Sequence, residues 1–132
     1  MTTRVTATPL PSQCNSYTNI NDPTRLASHS GSVQTCDQFI FPSATWVRFT
    51  GGSGVSLANC PVTLHHCGAN VTGWYSGVYP AVAGELTEGG VCYNWANKTC
   101  NWQTNIQITN CNGYYVYQLR PPPVCNARYC TI

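Results

Sequence analysis

The sequence predicts a small β-rich domain, all-β or irregular β, stapled by disulfides and poor in helix. Three observations predict it. Nine cysteines stand in 132 residues that carry only six Arg and Lys and four Asp and Glu, the balance of an oxidising compartment and a bridge framework. The apolar residues come in short runs broken by Gly and Pro, with no sustained helical stripe and no internal repeat. Residues 105–120 then read as a β-hairpin. Two alternating runs flank Asn112-Gly113, the pair that most readily takes φ > 0 at both centres of a type I′ turn. A two-residue loop sets the register: Cys111 opposite Tyr114, Thr109 opposite Val116 and Gln107 opposite Gln118. On the other side Ile108 faces Tyr117 and Ile106 faces Leu119, an apolar set that should face the core. A slip of one residue would turn that set to water. Pro121-Pro122-Pro123 ends the second strand, since proline cannot donate to a ladder.

In chain order, residues 1–13 are rich in Thr and Pro and cannot bury enough apolar surface to order themselves. They read as a disordered linker, and residues 14–132 as one cysteine-rich domain. Asp22-Pro23 keeps residue 22 out of the helical region, and Pro23 can open a single helical turn through Leu26. Residues 28–32 form a polar loop. Phe39-Ile40-Phe41 is a short apolar run closed by Pro42. Residues 45–50 read as a strand, with Trp46 and Arg48 on one face and Val47 and Phe49 on the other. Gly51-Gly52-Ser53-Gly54 is a turn, and residues 55–57 the expected return strand. Residues 62–67 are a further strand candidate. Residues 73–80 are aromatic and turn-rich, and 81–90 a loop holding Glu85 and Glu88. Residues 91–95 and Trp102 frame a tight cysteine loop.

Function classes narrow quickly. The net charge of +2 and the dispersed cations give no footprint for nucleic acid. No apolar run nears the ~20 residues that cross a membrane, so no membrane insertion by this chain is expected. Residues 1–13 hold no apolar segment of the signal-peptide kind, so a secreted chain beginning here is a fragment or a mature form. A zinc site would need a pair of CxxC or CxxxxC knuckles, and no such pair is present, the one spacing of that kind being Cys125 to Cys130. His65-His66-Cys67 offers little to a metal, because adjacent strand residues point to opposite faces. Neither metal nor cofactor is expected. Glu85 and Glu88 allow a glycosidase pair by spacing, although two solvated loop charges is the plainer reading. A small secreted hydrolase is therefore the rival from another class. Two sequons, Asn70-Val71-Thr72 and Asn97-Lys98-Thr99, suit N-glycosylation in this compartment. Trp74 and Tyr79 are the candidate ligand contacts of a lectin-like module, with core packing as the alternative.

From Cys14 to Cys130 the cysteine pattern resembles the eight-cysteine domain of the uromodulin type. Asp22-Pro23 with Arg25 is similar to that family's acidic-Pro-x-Arg opening, and Trp46-Val47-Arg48-Phe49 to its Trp-Tyr-Arg-Phe strand. Residues 74–80 resemble its Trp-x-x-Gly-x-His-Pro, with Tyr79 for His. Cys92-Tyr93-Asn94-Trp95 resembles its Ala-Cys-x-x-Trp, with Val91 for Ala. Residues 113–130 are the closest match. The resemblance implies a non-enzymatic, secreted extracellular module with a protein or glycan partner, used for binding or as a unit of a mosaic protein, matrix or filament. It implies the bridges Cys14–Cys111, Cys36–Cys125, Cys67–Cys130 and Cys92–Cys100. Thr99 stands where the family has a cysteine. Cys60 is then left unpaired and open to self-association or an intermolecular disulfide. Cys60–Cys100 with Cys92 free is the rival arrangement. The family's high-mannose glycan, which acts as a decoy for bacterial pilus adhesins, sits where this chain has Gln118-Leu119-Arg120. That acceptor is missing, so a glycan-bearing decoy would have to use Asn70 or Asn97.

Overall fold

The computed structural model describes residues 9–31 and 36–132. The expected linker lies mostly outside them, as do residues 32–35. Within residues 9–13, however, Leu10 packs against the domain and Gln13 donates to the Thr109 hydroxyl at 3.0 Å. The packed chain thus reaches back past Cys14, because apolar Leu10 covers the bridge that Cys14 makes.

One curled sheet of seven strands organises the molecule. Its strands are β1 (Thr18–Ile20), β2 (Thr45–Phe49), β3 (Val71–Tyr75), β4 (Leu86–Trp95), β5 (Lys98–Asn110), β6 (Tyr115–Leu119) and β7 (Ala127–Tyr129), in the spatial order β1-β2-β6-β5-β4-β3-β7. The interior pairs are antiparallel, and the two edge strands add in parallel. Helix is confined to single turns, among them α1 (Asp37–Ile40) and a 3₁₀ turn over Pro23–Arg25. Asp22 caps the latter by accepting from the Thr24 amide at 3.1 Å, the usual use of an aspartate ahead of a proline-opened turn.

The β5–β6 hairpin has the expected register, with Ile108 opposite Tyr117 and Thr109 opposite Val116. Asn112 and Gly113 have φ of 59° and 116°, and the Cys111 amide closes the turn on the Tyr114 carbonyl at 2.8 Å. Ile106, Ile108, Tyr117 and Leu119 are fully buried. So are Thr109 and Val116 on the opposite face, where Cys14, Tyr17, Trp46 and Tyr114 cover them. Burial on both faces makes this hairpin the centre of the molecule rather than a flap.

The main core lies on one face and takes alternate residues of every strand from β2 to β7: Val47 and Phe49, Val71 and Tyr75, Val91 and Tyr93, Ile106 and Ile108, Tyr117 and Leu119, Ala127 and Tyr129. Tyrosines do much of the filling. Tyr79 meets Tyr75, Tyr115 and Tyr117 edge-on at centroid distances of 5.3, 4.9 and 6.1 Å, the geometry that ring quadrupoles favour. Rings supply volume beside the aliphatic side chains, and two of their hydroxyls seat on backbone. Tyr79 donates to the Leu57 carbonyl at 3.0 Å and Tyr75 to that of Val78 at 3.2 Å.

Four local expectations are corrected. Residues 55–57 do not return along β2. Both sides of β2 are taken, by β1 and β6, so Leu57 instead bridges Thr131 near the C-terminus. Residues 62–67 are not a strand. His65 and Cys67 have φ of 64° and 48°, left-handed values that interrupt an extended run. Residues 73–75 belong to β3. Gly73 there lies so close to β7 that a Cβ would stand 2.8 Å from the Arg128 carbonyl oxygen. Finally, residues 86–90 begin β4 rather than ending a loop. A Cβ on Gly89 would collide with the Tyr75 hydroxyl, and one on Gly90 with Gln103. These glycines serve close packing inside a strand rather than a loop.

Candidate functional site

Four bridges tie the sheet: Cys14–Cys111, Cys36–Cys125, Cys67–Cys130 and Cys92–Cys100. Cys92–Cys100 crosses the β4–β5 hairpin, where the register shifts between Tyr93 and Trp95 and so lets Cys100 reach back. Cys60 is free and exposed.

Four of the ten charged side chains, Asp22, Arg25, Asp37 and Arg128, converge on a buried cluster. Arg25 and Arg128 are 1% exposed and Asp37 is fully buried. Asp37 accepts from both terminal nitrogens of Arg25, at 2.8 and 2.7 Å, a bidentate fork. It also accepts from the Tyr129 amide at 2.8 Å. Arg128 donates to Asp22 at 2.7 Å, to the Thr24 hydroxyl at 3.0 Å and to the Cys67 carbonyl at 3.1 Å. One network thus joins the Pro23–Arg25 turn, α1, β7 and the Cys67 loop. Both aspartates are held by arginines within the fold.

Burial works to raise the Asp22 carboxyl, but hydrogen bonds from the Thr24 hydroxyl and Arg128, with the Arg128 charge, outweigh it and hold the group below its ordinary 3.8. A lowered folded value means that Asp22 stabilises the fold fully above its unfolded pKa and loses this as pH falls through the folded one. Urea midpoints should therefore drop from pH 5 to pH 2, and Asp22→Asn should flatten part of that drop. An unchanged slope would refute this assignment.

The other sequence candidates are scattered. Glu88 lies exposed on β4 opposite Gln107, and Glu85 lies in the turn before that strand. His66 Nδ1 stands 2.8 Å from the Ala27 carbonyl and donates to it, His65 Nδ1 is 3.1 Å from Asn70 Oδ1, and Cys67 is bridged. Trp74 is half-buried against Ala58, Val62 and Cys67, its indole N–H donating to the Thr99 carbonyl at 2.7 Å. Tyr79 belongs to the main core, so the structure does not bring Trp74 and Tyr79 to one surface. Asn70 is half-buried ahead of β3, and the Thr72 hydroxyl of its sequon donates to the buried Val62 carbonyl at 2.6 Å. Asn97 is exposed at the β4–β5 turn, where Ala96 and Asn97 have φ of 53° and 63°. Gln118 is half-buried on β6.

One concave surface escaped the sequence. It has a volume of about 390 Å³ and lies between the end of β2, residues 55–56 and the tip of the β5–β6 hairpin. Arg48, Phe49, Ser56, Asn110, Tyr114 and Tyr115 line it. The Arg48 guanidinium sits 3.8 Å from the Tyr114 ring centroid and 5.9 Å from that of Tyr17, and it donates to the Tyr17 hydroxyl at 3.1 Å. Tyr114 is in turn anchored by donating to the Cys14 carbonyl. Alternation along β2 separates Arg48 from the face of Val47 and Phe49, but only the strand order sets it beside Tyr114.

Comparison with known proteins agrees with this framework. The model of the uromodulin-like eight-cysteine domain matches residues 47–131. The pancreatic secretory granule membrane major glycoprotein GP2 of Homo sapiens is 34% identical over 120 residues, covering 90% of this chain and 22% of that protein. Uromodulin of Mus musculus is 33% identical over 119 residues, 89% of this chain and 18% of that protein. The chain spans about a fifth of the length of these curated relatives. With nine cysteines, four bridges and a β-rich fold, the chain belongs to the uromodulin-like eight-cysteine domain family.

Proposed function

We propose that this chain is a non-enzymatic module of a secreted or surface-exposed extracellular glycoprotein, used for binding or as a structural unit. The observation that carries this reading is the four-bridge framework on a curled sheet, which requires an oxidising compartment to form and persist. The commitment of Asp22 and Asp37 to buried arginines supports it, as does kinship with proteins named as glycoproteins. No helix among the described residues is long and apolar enough to cross a membrane.

Asn97 is the acceptor that the geometry favours for a glycan. It is exposed on a hairpin turn, with open approach to the side chain. Expressed through a eukaryotic secretory pathway, the domain should lose mass on enzymatic deglycosylation, and Asn97→Gln should remove most of that loss. A secreted chain with no glycan mass would sink the glycoprotein reading. Exposed Cys60 supplies the route to an intermolecular bridge. Non-reducing electrophoresis should show a dimer that Cys60→Ser abolishes, and a dimer that survives the substitution would reassign the contact.

A further inference from the structure

We infer that the pocket beside the hairpin tip is a recognition site for a carboxylate carried on a pyranose ring, as in a terminal acidic sugar of a glycan. This names a ligand class for the binding module proposed above and rests on that reading.

The argument starts from Arg48. It has no carboxylate partner among the described residues, and no Asp or Glu lines the pocket. A guanidinium carries five N–H donors, and here one terminal nitrogen is engaged, by Tyr17. The remaining donors have no hydrogen-bond partner among the described residues. The group is also held in place: its face rests on the Tyr114 ring, and Tyr114 is tethered through its hydroxyl to the bridge-bearing strap at Cys14. Such a cation costs little ordering when it binds, and its planar fork matches a carboxylate in two parallel bonds.

The surroundings choose the rest of the ligand. Phe49, Val55 and Tyr115 provide apolar wall and Ser56 a polar group, while the Asn110 side chain is engaged within the protein, its amide donating to the Pro80 carbonyl and its oxygen accepting from the Asn112 amide. Aromatic wall beside Ser56 and Arg48 suits a ring with an apolar C–H face and hydroxyl edges. A volume of about 390 Å³ lies at the small end of ligand sites and suits one or two sugar rings rather than a folded partner. The rim has room at Gly113, where nothing lies within 4 Å of a Cβ built on the backbone.

The test is an NMR titration of the ¹⁵N-labelled, oxidised domain with methyl glucuronide. Methyl glucoside, acetate and an N-acetylated dipeptide with a free carboxylate are the comparison arms. Methyl glucuronide should shift the amides of Ser56, Gly113 and Tyr114 with a Kd of order 1 mM, and each comparison ligand should bind about tenfold or more weaker. Arg48→Gln should weaken methyl glucuronide by tenfold or more. Arg120→Gln removes the same charge from an exposed site and should leave the affinity unchanged. Equal loss in both variants would reduce the effect to net charge and overturn the site. So would equal binding of the neutral sugar or the dipeptide, or no shift by wild-type protein at tens of millimolar. A failed titration on folded protein counts against this pocket alone, whereas release of methanol from the probe would count against the non-enzymatic reading.

Discussion

Asp37→Asn should destabilise the domain by about 3–5 kcal/mol, the cost of leaving a buried charge without its partner. The substitution keeps the size and removes the charge. Asp37 accepts three hydrogen bonds, two from Arg25 and one from the Tyr129 amide. An asparagine can present one carbonyl oxygen to these donors, and its amide would point N–H at N–H. Arg25 would stay buried with only the longer contact of its Nε to Asp22, at 3.8 Å, to offset its charge, and Arg128, whose Nε lies 3.8 Å from Asp37, would lose part of its surroundings. The loss should appear in urea unfolding of the oxidised protein. A change below about 1 kcal/mol, the range of exposed pairs, would show that the network is a passive contact. Asp22 is the contrast. Its side chain is 35% exposed, so water screens what its removal leaves behind, and Asp22→Asn should cost clearly less.

Removing the Cys14–Cys111 bridge with paired serine substitutions should cost about 2–5 kcal/mol and loosen two distant parts of the chain together. The bridge closes 97 residues. Beside it Gln13 holds Thr109 and Tyr114 holds the Cys14 carbonyl, so the strap that leads into β1 and the tip of the central hairpin form one patch. Hydrogen exchange should therefore speed up at residues 18–20 and 111–115 in step, while the β4–β5 interior keeps its protection. Hairpin amides that stay fully protected in the variant would refute the coupling. The same variant bears on the pocket, because Tyr114, the platform for Arg48, is fixed through Cys14.

Local features were legible wherever a residue type has a narrow backbone meaning. Asn112-Gly113 demanded a type I′ turn, and counting outward from it set the hairpin register. Alternation in residues 45–50 sorted Val47 and Phe49 from Trp46 and Arg48, and Asp22-Pro23 opened its turn. Glycine misled, because it has two uses. At Gly113 it supplies a positive φ of 116°. At Gly89 and Gly90 it makes room for Tyr75 and Gln103, neighbours that no local pattern reveals. The return strand at residues 55–57 failed for a related reason: short range favours a hairpin with β2, but β1 and β6 already hold both sides of it.

The sequence by itself determined the class of molecule: a β-rich domain for an oxidising compartment, built on a hairpin whose turn and alternation are local chemistry. Tertiary structure alone decided what the charges do. Asp22, Arg25 and Asp37 near the start of the domain and Arg128 near its end meet in one buried network, and Arg48 stays outside it, stacked on Tyr114 at the rim of a pocket. A charge reads the same in sequence whether it is solvated, paired or poised for a ligand. Its surroundings separate the three cases, and those are set by the strand order β1-β2-β6-β5-β4-β3-β7, which brings β2 beside β6 and β7 beside β3 across long stretches of chain.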